Sequence, residues 1–136
     1  MNLSKTRGTK KVSYKALRKK AWNLLSQRKR MENPFCVTCG HRPESWKELQ
    51  LGHFIHSSSL DFELTNLHPQ DIRCNHYLHG NLIKYTLFMQ EKYGLKEIER
   101  LEALKLYRSR GYKISEMELL NIIEREKAKI SELEKL

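Results

Sequence analysis

All six histidines and all three cysteines of this 136-residue chain lie between positions 36 and 79. Cysteine thiolates bind transition metals, and histidine both binds metals and exchanges protons near neutral pH. The candidate chemistry of the chain is therefore concentrated in its central part. An odd number of cysteines, two of them separated by only two residues, favours metal ligands in a reducing compartment over a disulfide framework.

Two pairs of potential metal ligands have the same spacing. Cys36 and Cys39 form the first pair, and Asp71 and Cys74 form the second. Two such pairs can hold one tetrahedral zinc ion, because thiolate sulfur is a preferred zinc ligand and carboxylate oxygen an accepted one. We predict one structural zinc ion bound by the three cysteines and a fourth ligand. The candidates for that fourth ligand are Asp71, His41 and His76.

A second group of residues has the order found at a nuclease active site. His53 ends a predicted strand, Asn66 lies on the return strand, and Asn75 and His79 lie on the helix predicted to follow. Residues i and i+4 share one face of a helix, so Asn75 and His79 are expected to face one divalent ion, Mg²⁺ or Mn²⁺. His53 can accept a proton from water while the ion polarises a phosphate. This order resembles that of HNH, or His-Me finger, nucleases.

Longer stretches of the sequence resemble one family. They read LGHF at 51–54, NLHPQ at 66–70 and CNHYLHGNL at 74–82. Residues 14–136 as a whole resemble the NinG/Rap recombination endonucleases of lambdoid phages. The resemblance implies a ββα-metal finger that nicks branched DNA, such as D-loops and Holliday junctions. It also implies a phage or prophage protein that acts in the cytoplasm of a bacterial host.

The resemblance assigns roles to individual residues. His53 would be the general base, Asn66 would hold the loop that orients it, and Asn75 with His79 would lie at the catalytic metal. Two positions depart from the expected pattern: Asp71, where the family has a cysteine, and Gly52, where many HNH enzymes have a metal ligand. We therefore expect few protein ligands at the catalytic ion, and weak binding of Mg²⁺ or Mn²⁺.

Hydrophobic periodicity predicts the elements that must position these residues. A first amphipathic helix begins after Ser13, its expected N-cap, and ends before Pro34. A hairpin of two short strands follows, and then three helices, the last beginning at Ser115 in a capping box with Glu118. The strands are predicted around 49–54 and 63–67, and the helices at 75–93, 95–107 and from 115 onward. We expect a mostly helical α+β single domain over residues 13–136, built around a ββα-metal finger with a zinc knuckle.

Positive charge is concentrated at the N-terminus. The chain has 26 Lys and Arg against 16 Asp and Glu, a net charge of +10, and residues 1–31 contain eleven basic residues and no acidic one. Such a segment binds a phosphate backbone without reading its sequence, and we predict a flexible basic arm over residues 1–12. The residues predicted to contact DNA are Lys15, Arg18, Lys19, Lys20, Arg28 and Arg73.

Composition also limits the remaining classes of function. A mean hydropathy of −0.70, with no apolar run of the ~20 residues that a membrane span needs, predicts a cytoplasmic protein without a membrane partner. The main alternative to a nuclease is a non-catalytic, zinc-stabilised DNA-binding module. A phage assembly factor is a third interpretation, but it leaves the histidines unexplained. The amphipathic last helix is a candidate homodimer surface.

Overall fold

The computed structural model describes residues 12–108 and 111–136. The helices and strands in these residues are α1 (Tyr14–Glu32), β1 (Gln50–His53), β2 (Leu67–Gln70), α2 (Leu82–Tyr93), α3 (Leu95–Tyr107) and α4 (Glu116–Glu134). Short turns of other helix types lie between them, 3₁₀ at Trp46–Glu48, Ser58–Leu60 and Leu64–Asn66, and π-helical at Arg73–Tyr77. This mostly helical architecture with a two-stranded sheet is compatible with the predicted α+β class. The basic arm predicted over 1–12 lies, except for Val12, outside the described residues.

Both long helices begin at the serines predicted to cap them. The hydroxyl oxygen of Ser13 accepts a hydrogen bond from the backbone N–H of Ala16, and that of Ser115 accepts one from Glu118. Each bond satisfies an N–H group that has no partner within its own helix. The bounds of α3 also agree with the prediction. No helix of the described residues is long and apolar enough to span a membrane.

The two long helices pack along each other. Ala21 of α1 lies in an apolar cluster with Leu119 and Ile123 of α4, and all three side chains are buried. Further along the same contact, the guanidinium of Arg28 donates two hydrogen bonds to the carboxylate of Glu126, at 2.5 and 3.0 Å. Both charged groups are buried, so the hydrogen bonds between them must replace the contacts with water that each has lost.

The strands β1 and β2 pair antiparallel, with Gly52 opposite His68 and His53 opposite Leu67. Side chains alternate between the two faces of a strand, so Leu51 and His53 share one face and Gly52 lies on the other. The Leu51 face packs against α1, and the Gly52 face lies toward α2. The predicted hairpin is therefore confirmed, and its two faces contact different helices.

The return strand begins later than predicted. Residues 63–67 were expected to be extended, but Leu64–Asn66 form a 3₁₀ turn and β2 begins at Leu67. The turn brings the amide side chain of Asn66 onto the backbone of Ile55, to which it forms two hydrogen bonds. These side-chain bonds replace strand pairing at this position, which is why the pattern of apolar residues alone placed the strand too early.

A chain of hydrogen bonds connects the hairpin to α2. The hydroxyl of Tyr85 donates to the carbonyl of Gly52 at 3.0 Å, so its oxygen accepts the N–H of His68 Nδ1, at 3.0 Å. The hydroxyl of Tyr93 then donates to Nε2 of His68 at 2.7 Å. Burial first, and then the charges of nearby lysines, lower the pKa of His68 to about 2. His68 is therefore a neutral core residue that holds the hairpin against α2.

The helix predicted over 75–93 is interrupted. The chain forms one π-helical turn, Arg73–Tyr77, and α2 begins only at Leu82. Between them, His79, Gly80 and Asn81 have φ angles of 51°, 94° and 50°. Three successive positive φ angles end any right-handed helix, and Gly and Asn are the residues that adopt them most easily. The prediction of one continuous helix over 75–93 is therefore wrong.

Candidate active site and metal centre

The three cysteines predicted to bind zinc lie close to Asp71, one of the three candidates for the fourth ligand. The sulfur atoms of Cys36, Cys39 and Cys74 and a carboxylate oxygen of Asp71 all lie within 4.8 Å of one another. Cys39 Sγ donates a hydrogen bond to Asp71 Oδ2 at 3.0 Å, and Asp71 Oδ1 accepts one from the backbone N–H of Cys74 at 2.8 Å. We call these four residues the cysteine group. Three sulfurs and one carboxylate oxygen are a donor set that fits zinc.

Local structure explains why each pair converges. Gly40, with a φ of 79°, turns the chain so that its N–H bonds the carbonyl of Cys36 at 2.8 Å. The N–H of Val37 bonds the carbonyl of Pro69 at 3.0 Å, which fastens the first pair to the end of β2. The second pair begins directly after β2. Both pairs therefore reach the same end of the hairpin.

The structure selects among the three candidates for the fourth ligand. Asp71 belongs to the cysteine group, whereas the exposed His41 and His76 are not among the residues gathered there. Burial, followed by the hydrogen bond to Asp71, raises the pKa of the Cys39 thiol to about 12. A divalent cation that bound here would displace this proton, since zinc is ligated by thiolate.

His53 is held by groups from two other parts of the chain. Its ring stacks on the indole of Trp22 in α1, with centroids 5.2 Å apart and planes 10° apart. Its Nε2 lies 2.9 Å from Oδ1 of Asp61, and the second oxygen of that carboxylate accepts a hydrogen bond from Arg18 at 2.5 Å. We call these four residues the histidine centre. The side chain of His53 is 23% exposed, so solvent reaches it.

The carboxylate of Asp61 is ionised in this arrangement. Partial burial by itself would raise its pKa, but the hydrogen bonds from His53 and Arg18 outweigh burial and lower the pKa below its usual value. An ionised carboxylate is only an acceptor, so both of its partners must donate to it. Sequence reasoning missed Asp61 and Trp22, because neither belongs to a spaced motif.

Asn66 lies where it can position the residues that follow His53. It is fully buried, its Oδ1 accepts the N–H of Ile55 at 2.9 Å, and its Nδ2 donates to the carbonyl of Ile55 at 3.0 Å. The carbonyl of Asn66 also accepts the N–H of Phe54 at 2.9 Å. The side chain thus closes the loop between the strands, which is the geometry that its predicted role requires.

Asn75 and His79 do not share a helical face. Asn75 lies in the π-helical turn and donates to Gln50 Oε1 at 2.8 Å. It borders the Gly52 side of the hairpin, whereas His53 is on the opposite side. His79 is exposed and lies beyond the turn in left-handed backbone. The predicted geometry, with both residues on one helix, is therefore wrong, whereas the binding of Mg²⁺ or Mn²⁺ at these residues stays a prediction.

Gly52 explains why no metal ligand is present before His53. A Cβ atom at this position would lie 1.8 Å from Oε1 of Gln70, closer than any two such atoms can approach. Gln70 is itself fully buried and donates to Thr38 and to the carbonyl of Gly80, so a movement of its side chain would disturb both hydrogen bonds. A residue with a side chain at position 52, including a carboxylate ligand, would therefore require the side chain of Gln70 to move.

Comparison with known proteins identifies the family. The profile described as "NinG: Bacteriophage Lambda NinG protein" matches residues 3–135 of the chain. The chain belongs to the NinG family. A curated relative, "Protein ninG" of Salmonella phage P22, is 27% identical over 71 residues, which are 50% of this chain and 34% of the relative. The match therefore spans about a third of that relative's length, and no solved structure matches the chain.

The six residues of this NinG-family chain that were predicted to contact DNA fall into two groups. Lys15, Lys19, Lys20 and Arg73 are exposed and available to a polyanion. Arg18 donates to Asp61, and Arg28 is buried against Glu126. Sequence reasoning assigned both arginines to DNA, because charge patterning cannot distinguish a solvated cation from one paired inside the fold. We leave Arg28 out of the candidate DNA surface.

Proposed function

We propose that this NinG-family chain is a DNA endonuclease of the HNH, or His-Me finger, type. The observation that carries the proposal is the histidine centre, in which His53 is fixed by Trp22 and Asp61 while its side chain stays accessible to solvent. An imidazole oriented by a carboxylate, with one nitrogen available, is the arrangement of a general base. The loop closure by Asn66 supports the same interpretation.

The reaction is hydrolysis of a phosphodiester. In the proposed step, His53 Nδ1 takes a proton from a water molecule, and the water oxygen attacks phosphorus. The bond from phosphorus to the 3′ oxygen breaks, and that oxygen leaves with the bonding electrons and takes a proton from solvent. The products are a 5′-phosphate and a 3′-hydroxyl, so each reaction leaves one nick.

Dependence on Mg²⁺ or Mn²⁺ is part of the proposal. Asn75 and His79 do not lie on one helix, so no step is assigned to an ion held by them. The cysteine group is chemically suited to zinc and lies beyond β2, where we propose that it has a structural role.

DNA is the proposed partner, in branched form. Lys15, Lys19 and Lys20 expose positive charge on α1, the helix that also holds Asp61 through Arg18. Phosphate contacts of this kind would position the duplex without reading its sequence. Membership of the NinG family supports a role in phage recombination, and the expectation of D-loop and Holliday-junction substrates follows from the sequence resemblance.

A non-catalytic, zinc-stabilised DNA-binding module is the second candidate. One observation favours it: the four side chains of the cysteine group lie close enough together to hold a zinc ion, whereas the helix expected to carry both Asn75 and His79 is interrupted. The two candidates differ in whether a phosphodiester is cut.

The test is nicking of supercoiled plasmid and of linear, flapped, D-loop and four-way substrates, with Mg²⁺ or Mn²⁺ and with chelator. We expect the wild-type chain to nick, and His53→Ala to lose about 10²- to 10⁴-fold in rate while still binding DNA. His76→Ala is the matched control, because His76 is exposed and lies outside both centres. Equal nicking by wild type and His53→Ala would refute the assignment, and binding without nicking would favour the second candidate.

A further inference from the structure

We infer that Asp61 selects the tautomer of His53 and that Arg18 holds Asp61 in place for this task. Asp61 and Arg18 are therefore positioning residues, and α1 supports the chemistry in addition to any contact it makes with DNA. The catalytic consequence rests on the proposed function. The assignment of the tautomer does not rest on the proposed function, because the tautomer is a property of the folded protein without substrate.

The two oxygens of Asp61 have different partners. Oδ1 lies 2.9 Å from Nε2 of His53, and Oδ2 lies 2.5 Å from a guanidinium nitrogen of Arg18. Each oxygen accepts from one donor, so the carboxylate cannot rotate without losing a charge-assisted hydrogen bond. Its plane, and therefore the direction it presents to the imidazole, is set from the α1 side.

This contact determines which ring nitrogen carries hydrogen. A neutral imidazole has one N–H and one lone pair, and an ionised carboxylate can only accept. The hydrogen of neutral His53 must then be on Nε2, which leaves the lone pair on Nδ1. Among the described residues, no hydrogen bond engages Nδ1 of His53, so this nitrogen is free to act on water.

The surroundings keep the contact in place. The stacked ring of Trp22 prevents His53 from tilting, and the guanidinium of Arg18 also lies 5.4 Å above the ring of Phe62. The loop that carries Asp61 is anchored on one side by the fully buried Leu60. Three elements, β1, α1 and the loop after β1, therefore meet at one carboxylate.

The experiment measures the tautomer directly, by nitrogen NMR of the full chain labelled at histidine, at about pH 9, where imidazoles are neutral. Wild type is expected to show His53 with hydrogen on Nε2. In Asp61→Asn the side-chain amide can donate to Nε2, and the hydrogen is expected to move to Nδ1. Glu63→Gln is the matched control, since Glu63 lies in the same loop and pairs with Arg100 and Arg108 instead.

The kinetic consequence is measured on the same proteins. We expect Asp61→Asn to lower the single-turnover nicking rate about 10²- to 10⁴-fold with DNA affinity unchanged, as expected when a general base is in the wrong tautomer. Hydrogen on Nδ1 in the wild type, or no change of tautomer in Asp61→Asn, overturns the inference. Hydrogen on Nδ1 in the wild type overturns the inference even if the variant does not fold. An Nε2-protonated wild type that cuts no DNA supports the tautomer assignment and contradicts only the proposed function.

Discussion

The cysteine group and the histidine centre are built by different means. The cysteine group joins two short pairs, Cys36 with Cys39 and Asp71 with Cys74, and each pair has a spacing that is visible in the sequence. The histidine centre joins single residues from β1, α1 and a loop, and no two of them have a characteristic spacing. Paired ligands can therefore be recognised from the sequence, whereas single residues that come from different elements are recognised as one site only once the fold is known.

Loss of the zinc site should have the largest effect, because it is expected to disrupt both the cysteine group and the histidine centre. Binding of structural zinc contributes on the order of 10 kcal/mol in small domains, and Cys74 is a buried member of the group. We expect Cys74→Ser to lose bound zinc and cooperative unfolding, as measured by elemental analysis and thermal denaturation. The histidine centre should be lost as well, because β2 leads into Asp71 and pairs with the strand that carries His53.

The control for this prediction is His41→Ala. His41 is exposed and lies outside the cysteine group, so this variant and the wild type are both expected to contain about one zinc per chain. A wild-type protein that contains no zinc, and whose unfolding chelator does not change, would contradict the metal centre.

Breaking the buried ion pair between α1 and α4 should affect the histidine centre and leave the cysteine group intact. Arg28→Met leaves the carboxylate of Glu126 buried without its main partner, at an expected cost of about 3–5 kcal/mol in the free energy of unfolding. We expect urea denaturation to report that loss while zinc content stays unchanged. The histidine centre should loosen, because α1 carries both Trp22 and Arg18.

A double variant, Arg28→Met with Glu126→Leu, is the companion to this test. It replaces both charges with apolar groups of similar size, and should recover most of the lost stability. If it is no more stable than the single variant, the buried charge is not the cause of the loss.

Mild acid should have a smaller effect, through His68. Its pKa of about 2 in the folded state lies below the value of about 6.5 in an unfolded chain, so the unfolded state binds the proton first. The resulting stability is complete above about pH 6.5 and is lost as pH falls toward 2. At pH 5 the loss from this residue is about 2 kcal/mol.

Urea denaturation of wild type and His68→Gln at several pH values measures this effect. The variant is expected to be less stable at neutral pH, because it loses hydrogen bonds to Tyr85 and Tyr93, and to have a shallower pH dependence between 5 and 6.5. Equal slopes for the two proteins would show that His68 is not the titrating group. The result also sharpens the contrast with His53, whose partner is an ionised carboxylate instead of two tyrosines.

Much of the fold could be predicted because its signals are local. The serine caps of α1 and α4, the extent of α3 and the two metal-binding pairs each depend on residues within a few positions of one another. The prediction of one helix over 75–93 was wrong for a reason that is also local. The Gly80–Asn81 pair marks a break in the helix, but the prediction extended the apolar periodicity across it.

The sequence by itself determined the starts of α1, α3 and α4, the family, and the two pairs that form the cysteine group, because each depends on spacing along the chain. Only the tertiary structure decided which arginine is buried, which face of the hairpin His53 occupies, and that Asp61 holds it. Those outcomes depend on strand register and on how helices pack. A shift of one residue in register would turn His53 to the opposite face, and no local signal reports that choice.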